Sequence, residues 1–159
     1  MLHRSILFVC LGNICRSPLA EGAFRKKTAQ AKVPDLSTID SAGLGGWHAG
    51  DPPDPRAIRI AAENGFDISG QRARQIRTAD FDCFDLILAM DRSNIEALAA
   101  LCPVSGHGYG KSEIALFLDY TLGRADDVPD PYYGGEDGFR HAVSLIERAS
   151  DALFEKLTA

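Results

Sequence analysis

Apolar residues fall into short unbroken runs, separated by longer stretches where they recur every three or four positions. The first run, Ile6-Leu7-Phe8-Val9, is β-branched and aromatic and predicts a strand over residues 5–9. Residues 17–31 predict a helix with Leu19, Ala23 and Phe24 facing inward. A second strand is predicted over 37–41, ended by the turn-rich Gly43-Leu44-Gly45-Gly46, and 47–53 read as a surface loop. Asp54-Pro55 opens a helix that runs to Asn64, with Gly65 as its stop. The clearest buried strand is 84–90. Asp91 or Ser93 caps the helix after it, which ends near Cys102-Pro103. Residues 106–110 read as a flexible loop, 114–117 as a fourth strand and 126–135 as an acidic, proline-bearing loop. A last helix over 136–157 carries an apolar stripe of Phe139, Val143, Ile146, Leu153 and Leu157. Strands alternating with helices predict an α/β fold, an open parallel four-stranded sheet with helices on both faces. In such sheets ligands sit beyond the carboxyl ends of the strands.

A length of 159 residues with 45% hydrophobic and 25% charged content predicts one globular domain over 1–159. The formal net charge of −5 argues against a nucleic-acid partner, and an anionic ligand needs a local positive site to hold it. No run is long enough to span a membrane, and the run before Gly12 is too short and badly flanked for a signal peptide. Cytoplasmic residence with reduced thiols is the expectation. The cysteines are Cys10, Cys15, Cys83 and Cys102, and a chain of this length needs no disulfide frame. A four-cysteine zinc site is disfavoured: Cys10 and Cys15 are widely spaced, and Cys83 and Cys102 form no second close pair. No metal or cofactor is expected.

Candidate chemistry concentrates in Cys10-Leu11-Gly12-Asn13-Ile14-Cys15-Arg16-Ser17-Pro18. A strand ends in a cysteine, a loop follows, and a proline suits the first turn of a helix. Such a loop turns successive backbone N–H groups toward one anion, and the helix dipole favours negative charge there. A thiol in a cup of this kind ionises readily and becomes a nucleophile. Arg16 can grip two oxygens of a tetrahedral oxyanion, so phosphate is the predicted ligand. Gly12 and Asn13 are read as loop shapers, since glycine takes positive φ freely and asparagine is next best. Ser17 serves as a helix cap, as a donor to the Cys10 sulfur, or as both. Trp47 either plugs the core or joins Leu11, Ile14, Tyr132 and Tyr133 in walling a pocket for a flat ring. A phenolate leaving group needs a proton. Asp130 is the candidate acid, biased to an extended conformation by Pro131, with Asp126, Asp127 and Asp137 as alternatives.

The cysteine loop resembles that of the low-molecular-weight protein tyrosine phosphatases. Asp40-Ser41-Ala42-Gly43, Pro53-Asp54-Pro55-Arg56, Ala73-Arg74-Gln75, Ala89-Met90-Asp91 and Asp130-Pro131-Tyr132-Tyr133-Gly134 follow in that family's order, so the resemblance covers nearly the whole chain. It implies a flavodoxin-like fold of the phosphotyrosine protein phosphatase I type. It implies metal-independent hydrolysis of phosphotyrosine in proteins, or of small aryl phosphates, through a cysteinyl-phosphate on Cys10, with inorganic phosphate as product. Arg16 would clamp the phosphate, residues 11–17 would bind it, and Asp130 would act as acid and then as base. Ser41 would hold Asn13, and Cys15 would guard Cys10 by a reversible disulfide, against the bland reading of a packed thiol. Tyr132 and Tyr133 could themselves be phosphorylated in the family pattern. A monomer is expected. Gln71 departs from some eukaryotic relatives, which carry histidine there.

Two rivals share the scaffold. A thiol-dependent arsenate reductase would need a further cysteine relay, and Cys83 has no cysteine close after it. Protein arginine phosphatases resemble this chain but carry a threonine where Ile14 stands, and an apolar Ile14 suits an aromatic ring better than a guanidinium. A non-catalytic phosphate-binding module would use the cup alone, without a nucleophile and an acid together.

Overall fold

The computed structural model describes residues 5–31, 38–102 and 110–159. The predicted start of the second strand at Ser37 and most of the predicted loop 106–110 lie outside them. Strands β1 (Ser5–Cys10), β2 (Thr38–Gly43), β3 (Leu86–Ala89) and β4 (Glu113–Leu116) form one parallel sheet in the order β2-β1-β3-β4. Cys10 pairs with Gly43, Val9 with Ala89, and Ala89 with Leu116. The carboxyl ends of all four strands therefore share one edge. The chain steps from β1 to β2 on one side and then crosses to β3 on the other, which opens a crevice at the end of β1. Cys10 stands at that crevice.

Among the described residues six helices cover the sheet: α1 (Arg16–Ala31), α2 (Pro55–Glu63), α3 (Asp80–Cys83), α4 (Arg92–Leu101), α5 (Phe117–Leu122) and α6 (Glu136–Thr158). The period-2 pleat of β1 divides the core. Ile6, Phe8 and Cys10 face the layer of α1, α2, α5 and α6, whereas Leu7 and Val9 face Phe81, Phe84 and Leu98 from the α3 and α4 side. Phe8 meets Phe24 and Phe117 edge-on, at centroid distances of 6.1 and 5.3 Å. The predicted stripe of α6, from Phe139 to Leu157, is buried throughout. No helix among the described residues is long and apolar enough to cross a membrane.

Several predicted boundaries move. β2 continues to Gly43 rather than stopping at Ser41. β3 is shorter than 84–90, because Phe84 closes α3 by donating its N–H to the Asp80 carbonyl. β4 ends at Leu116, and Phe117 opens α5 instead of closing the strand. Ser17 is no cap, since α1 already begins at Arg16.

Candidate active site

The loop from Cys10 to Arg16 is held by its carbonyls. Leu44 donates its N–H to the Cys10 carbonyl at 3.0 Å, Gly45 to Leu11 at 3.0 Å, and Asp54 to Ile14 at 2.8 Å. In a planar trans peptide the N–H opposes the C=O. Tying these carbonyls outward turns the N–H groups of Leu11, Gly12 and Cys15 to the other side, into the cup. Asn13 sits at φ 59°, the one non-glycine residue at positive φ among those described. Gly12 does not adopt that conformation, contrary to expectation. Its missing side chain instead makes room for His48, whose Cδ2 would lie 3.2 Å from a Cβ there. Gly43 allows the loop to close on β2, because a Cβ would come within 3.0 Å of the Gly12 carbonyl carbon.

Buried polar side chains lock this shape. Asn13 Nδ2 donates to Ser17 Oγ at 2.8 Å and to Ser41 Oγ at 3.0 Å, and its Oδ1 accepts from the Arg74 N–H at 2.9 Å. Ser41 Oγ in turn donates to Glu21 at 2.7 Å. Burial raises the pKa of Glu21, against the opposing pull of its hydrogen bonds from Ser41 and Arg25. Ser17 Oγ lies 3.0 Å from Cys10 Sγ.

Arg16 is 2% exposed. Its Nη1 donates to Asp91 Oδ2 at 2.6 Å and to the Val128 carbonyl at 3.0 Å, while Nη2 reaches Asp130 Oδ2 at 3.5 Å. Burial opposes its charge, but the Cys10 sulfur and the Asp91 and Asp130 carboxylates outweigh that, and its pKa is raised. Asp91 aims Arg16 from the N-cap of α4, where its other oxygen accepts from Asn94 N and Ser93 Oγ. Burial raises the Asp91 carboxyl, but hydrogen bonds from Arg16, Ser93 and Asn94 bring it below the usual range. Burial pushes the Cys15 thiol far above its ordinary value, and Asp54, Cys10 and Asp130 push the same way. Cys15 is therefore a neutral thiol near neutral pH.

A cavity of about 310 Å³ opens over the cup. Residues 10–12 and 14–16 of the loop line it together with Trp47, His48, Asp130, Tyr132 and Tyr133. Trp47 is 71% exposed and Tyr133 90%, so Trp47 is no core plug. Of the four candidate acids only Asp130 lines the cavity. Asp126 pairs with Arg124, and Asp127 with Arg92. The sequence did not single out Asp91 as a partner of Arg16, nor His48 as a wall. The usable signal for Asp91 was its place at the carboxyl end of a predicted strand. The cysteines do not gather. The Cys83 carbonyl accepts from Ser5 Oγ, at the opposite end of β1 from Cys10. Five strand residues put these ends roughly 16 Å apart. This removes the four-cysteine zinc reading and any direct relay from Cys10 to Cys83.

Fold and site together define a doubly wound parallel α/β protein with a cysteine-centred oxyanion cup. The family described as low molecular weight phosphotyrosine protein phosphatase matches residues 5–159. A low molecular weight protein-tyrosine-phosphatase of Streptomyces coelicolor is 41% identical over 149 residues, covering 93% of this chain and 90% of that one. The crystal structure of YfkJ from Bacillus subtilis superposes with a TM-score of 0.86 at 40% identity, covering 97% and 94% of the two chains. A Drosophila arginine phosphatase superposes at 0.89 with 30% identity, covering 98% of each. The chain belongs to the low molecular weight phosphotyrosine protein phosphatase family.

Proposed function

We propose that this chain hydrolyses phosphotyrosine, in proteins or as small aryl phosphates, with Cys10 as nucleophile, Arg16 as phosphate clamp and Asp130 as general acid and base. The observation that carries this is the Ser17 hydroxyl, 3.0 Å from Cys10 Sγ on the floor of a cup that Arg16 and Asp130 share. An incoming phosphate dianion competes with Asp130 for Arg16 Nη2, where the present contact is a loose 3.5 Å. Arg16 and the loop N–H groups take the non-bridging oxygens. The sulfur attacks phosphorus in line; the P–S bond forms and the P–O bond to the phenol breaks. Asp130, displaced from Arg16 by the dianion, takes up a proton from solvent and gives it to the departing oxygen. Water then attacks phosphorus and leaves its proton on Asp130. The P–S bond breaks, inorganic phosphate departs, and the Ser17 hydrogen stabilises the returning thiolate.

The test is steady-state hydrolysis of an aryl phosphate, with reductant and without metal, by the wild type and Cys10→Ser. Turnover by the wild type and silence of the variant support the reading. An inert, fully reduced wild type overturns it.

Ile14 supports an aromatic substrate over a guanidinium, because an apolar residue lines the cavity there. The structural likeness to an arginine phosphatase supplies the competing reading. Equal efficiency on phosphotyrosine and phosphoarginine peptides defeats the tyrosine assignment. We also assign Cys15 as a guard. Peroxide oxidises Cys10 to a sulfenic acid, and the Cys15 thiol condenses with it, losing water and forming a disulfide. Sulfinic acid on Cys10 without that bridge, read by mass spectrometry, counts against the guard. We also propose that the chain works as a monomer in a reducing cytoplasm, where the Cys10 nucleophile stays a thiol; light scattering checks the monomer.

A further inference from the structure

Asp130 has few restraints of its own. Its Oδ1 accepts from the Tyr132 N–H at 3.0 Å, and its Oδ2 faces Arg16 at 3.5 Å. Once phosphate occupies Arg16, the Tyr132 amide is the remaining one of these two anchors. What holds the turn around Tyr132 thus decides where the acid stands. The peptide that carries this N–H is tied through its Pro131 carbonyl to the Gly134 N–H at 3.0 Å, and the turn so closed is held from outside by Arg56. Its Nη2 donates to the Tyr132 carbonyl at 3.0 Å and its Nη1 to the Gly134 carbonyl at 3.1 Å. The same guanidinium grips Asp54 with two bonds, Nε to Oδ1 at 3.0 Å and Nη2 to Oδ2 at 2.9 Å. It also lies over the buried Phe139 ring, 4.6 Å from the centroid.

Asp54 belongs to the cup as much as to α2. It caps that helix with Oδ1 on the Arg56 N–H, and its own N–H holds the Ile14 carbonyl of the cysteine loop at 2.8 Å. A continuous path therefore runs from the Ile14 carbonyl through Asp54 and Arg56 to Tyr132 and the Asp130 carboxylate. It joins the nucleophile loop to the acid loop without passing through the substrate. We infer that Arg56 is a positioning residue that sets the acid loop against the cup, so that Asp130 meets the leaving-group oxygen. This rests on the reading of Asp130 as the general acid.

Only a planar fork serves here. One head group must satisfy a bidentate carboxylate and two carbonyls at once, whereas a lysine ammonium is a point charge with three donors. Arg56→Lys keeps the charge and loses the geometry. A mispositioned acid harms substrates in proportion to their need for a proton. Wild type, Arg56→Lys, Asp130→Ala and the double variant are to be compared by kcat/KM across aryl phosphates, from fluorinated umbelliferyl phosphate to phenyl phosphate. Arg56→Lys is expected to lose about tenfold on phenyl phosphate and less than about twofold on the fluorinated ester. In the Asp130→Ala background, the same substitution is expected to add less than about twofold. Arg56→Gln, which keeps a donor for one carbonyl, is expected to follow the lysine variant and carries the test if the latter melts early. A loss equal across all leaving groups, or losses that multiply in the double variant, overturn the inference. If Asp130→Ala alone leaves the leaving-group dependence unchanged, the acid assignment itself falls and takes this role with it, an outcome distinct from a failure of Arg56.

Discussion

Asn13 donates to Ser17 Oγ at 2.8 Å, and this bond fixes which way the Ser17 hydroxyl points. An amide nitrogen has two hydrogens, and Asn13 commits the second to Ser41 Oγ. Ser17 therefore accepts from Asn13 and keeps its own hydrogen for Cys10 Sγ. Ser41 likewise accepts from Asn13 and donates to Glu21. The buried chain has one polarity, with every hydroxyl turned by the amide between them. Asn13→Ala strands both serines and the Arg74 N–H, and it puts an alanine at φ 59°. The expected loss is about 2–4 kcal/mol in urea unfolding, with activity falling alongside. Asn13→Gly relieves the backbone but not the hydrogen bonds, so it is expected to recover only about 1 kcal/mol of that and little activity. Full recovery in the glycine variant would reduce the role of Asn13 to its backbone.

Asp91 joins two jobs that one substitution separates. Asparagine is as good an N-cap as aspartate, so Asp91→Asn keeps the cap of α4 and removes the charge opposite Arg16. Stability is expected to fall by about 2–3 kcal/mol, because buried Arg16 loses its charged partner although the cap is kept, and kcat/KM on an aryl phosphate drops about tenfold as Arg16 loses its aim. Unchanged kcat/KM would mean that the charge of Asp91 does not orient the guanidinium.

The sequence makes legible what is local. Cys10, Arg16 and Ser17 lie within one strand–loop–helix motif, so their types and spacing mark a candidate site, whereas Asp130 is set apart from Asp126, Asp127 and Asp137 by the family resemblance rather than by spacing. Asp91 and Arg56 are not legible in this way. Asp91 reaches Arg16 across 75 residues, and Arg56 reaches the Tyr132 carbonyl across 76, contacts that only the sheet order brings about. The long elements follow from periodicity: β1 and α6 are found where their apolar patterns put them. α3 and α5 escape because four and six residues are too short to show a helical period. Phe117 reads as a strand residue because it continues an apolar run, yet the chain turns there to pack its ring against Phe8.

Asp80 ties the back of the cup to pH. Its carboxylate is fully buried, accepts from Arg74 Nη1 at 3.0 Å and from the Arg77 N–H at 2.8 Å, and so fixes the segment whose Arg74 N–H holds Asn13. Burial raises its pKa, but the bonds from Arg74 and Arg77 lower it more, to below the usual carboxylate value. A depressed folded-state pKa contributes stability that is full above the unfolded value, about 3.9, and is lost as pH falls through the folded one. Asp80→Asn is therefore expected to be about 2–3 kcal/mol less stable than the wild type at pH 7. The gap should narrow below about pH 4, where the wild type also loses its charge. Urea titrations at pH 7 and pH 3 check this, and a gap of equal size at both would remove the ionised carboxylate from the account.

The proposed tyrosine specificity makes Ile14 the residue that sets which leaving group the cavity prefers. Ile14 lines the cavity with Cys10, and its carbonyl is turned away to the Asp54 N–H. An aliphatic surface suits the face of a phenyl ring. A guanidinium there would leave N–H donors without partners, a loss of about 1–3 kcal/mol each. Ile14→Thr places a hydroxyl acceptor at that spot and removes apolar contact. The expected result is a fall in kcat/KM for a phosphotyrosine peptide and a rise for a phosphoarginine peptide, so that their ratio shifts by about tenfold or more. Because the loop backbone is held by Leu44, Gly45 and Asp54 rather than by this side chain, turnover of a small activated aryl phosphate should change by less than about threefold. A ratio unmoved by the substitution would place the discrimination elsewhere on the wall, with Trp47 and His48 the next residues to exchange.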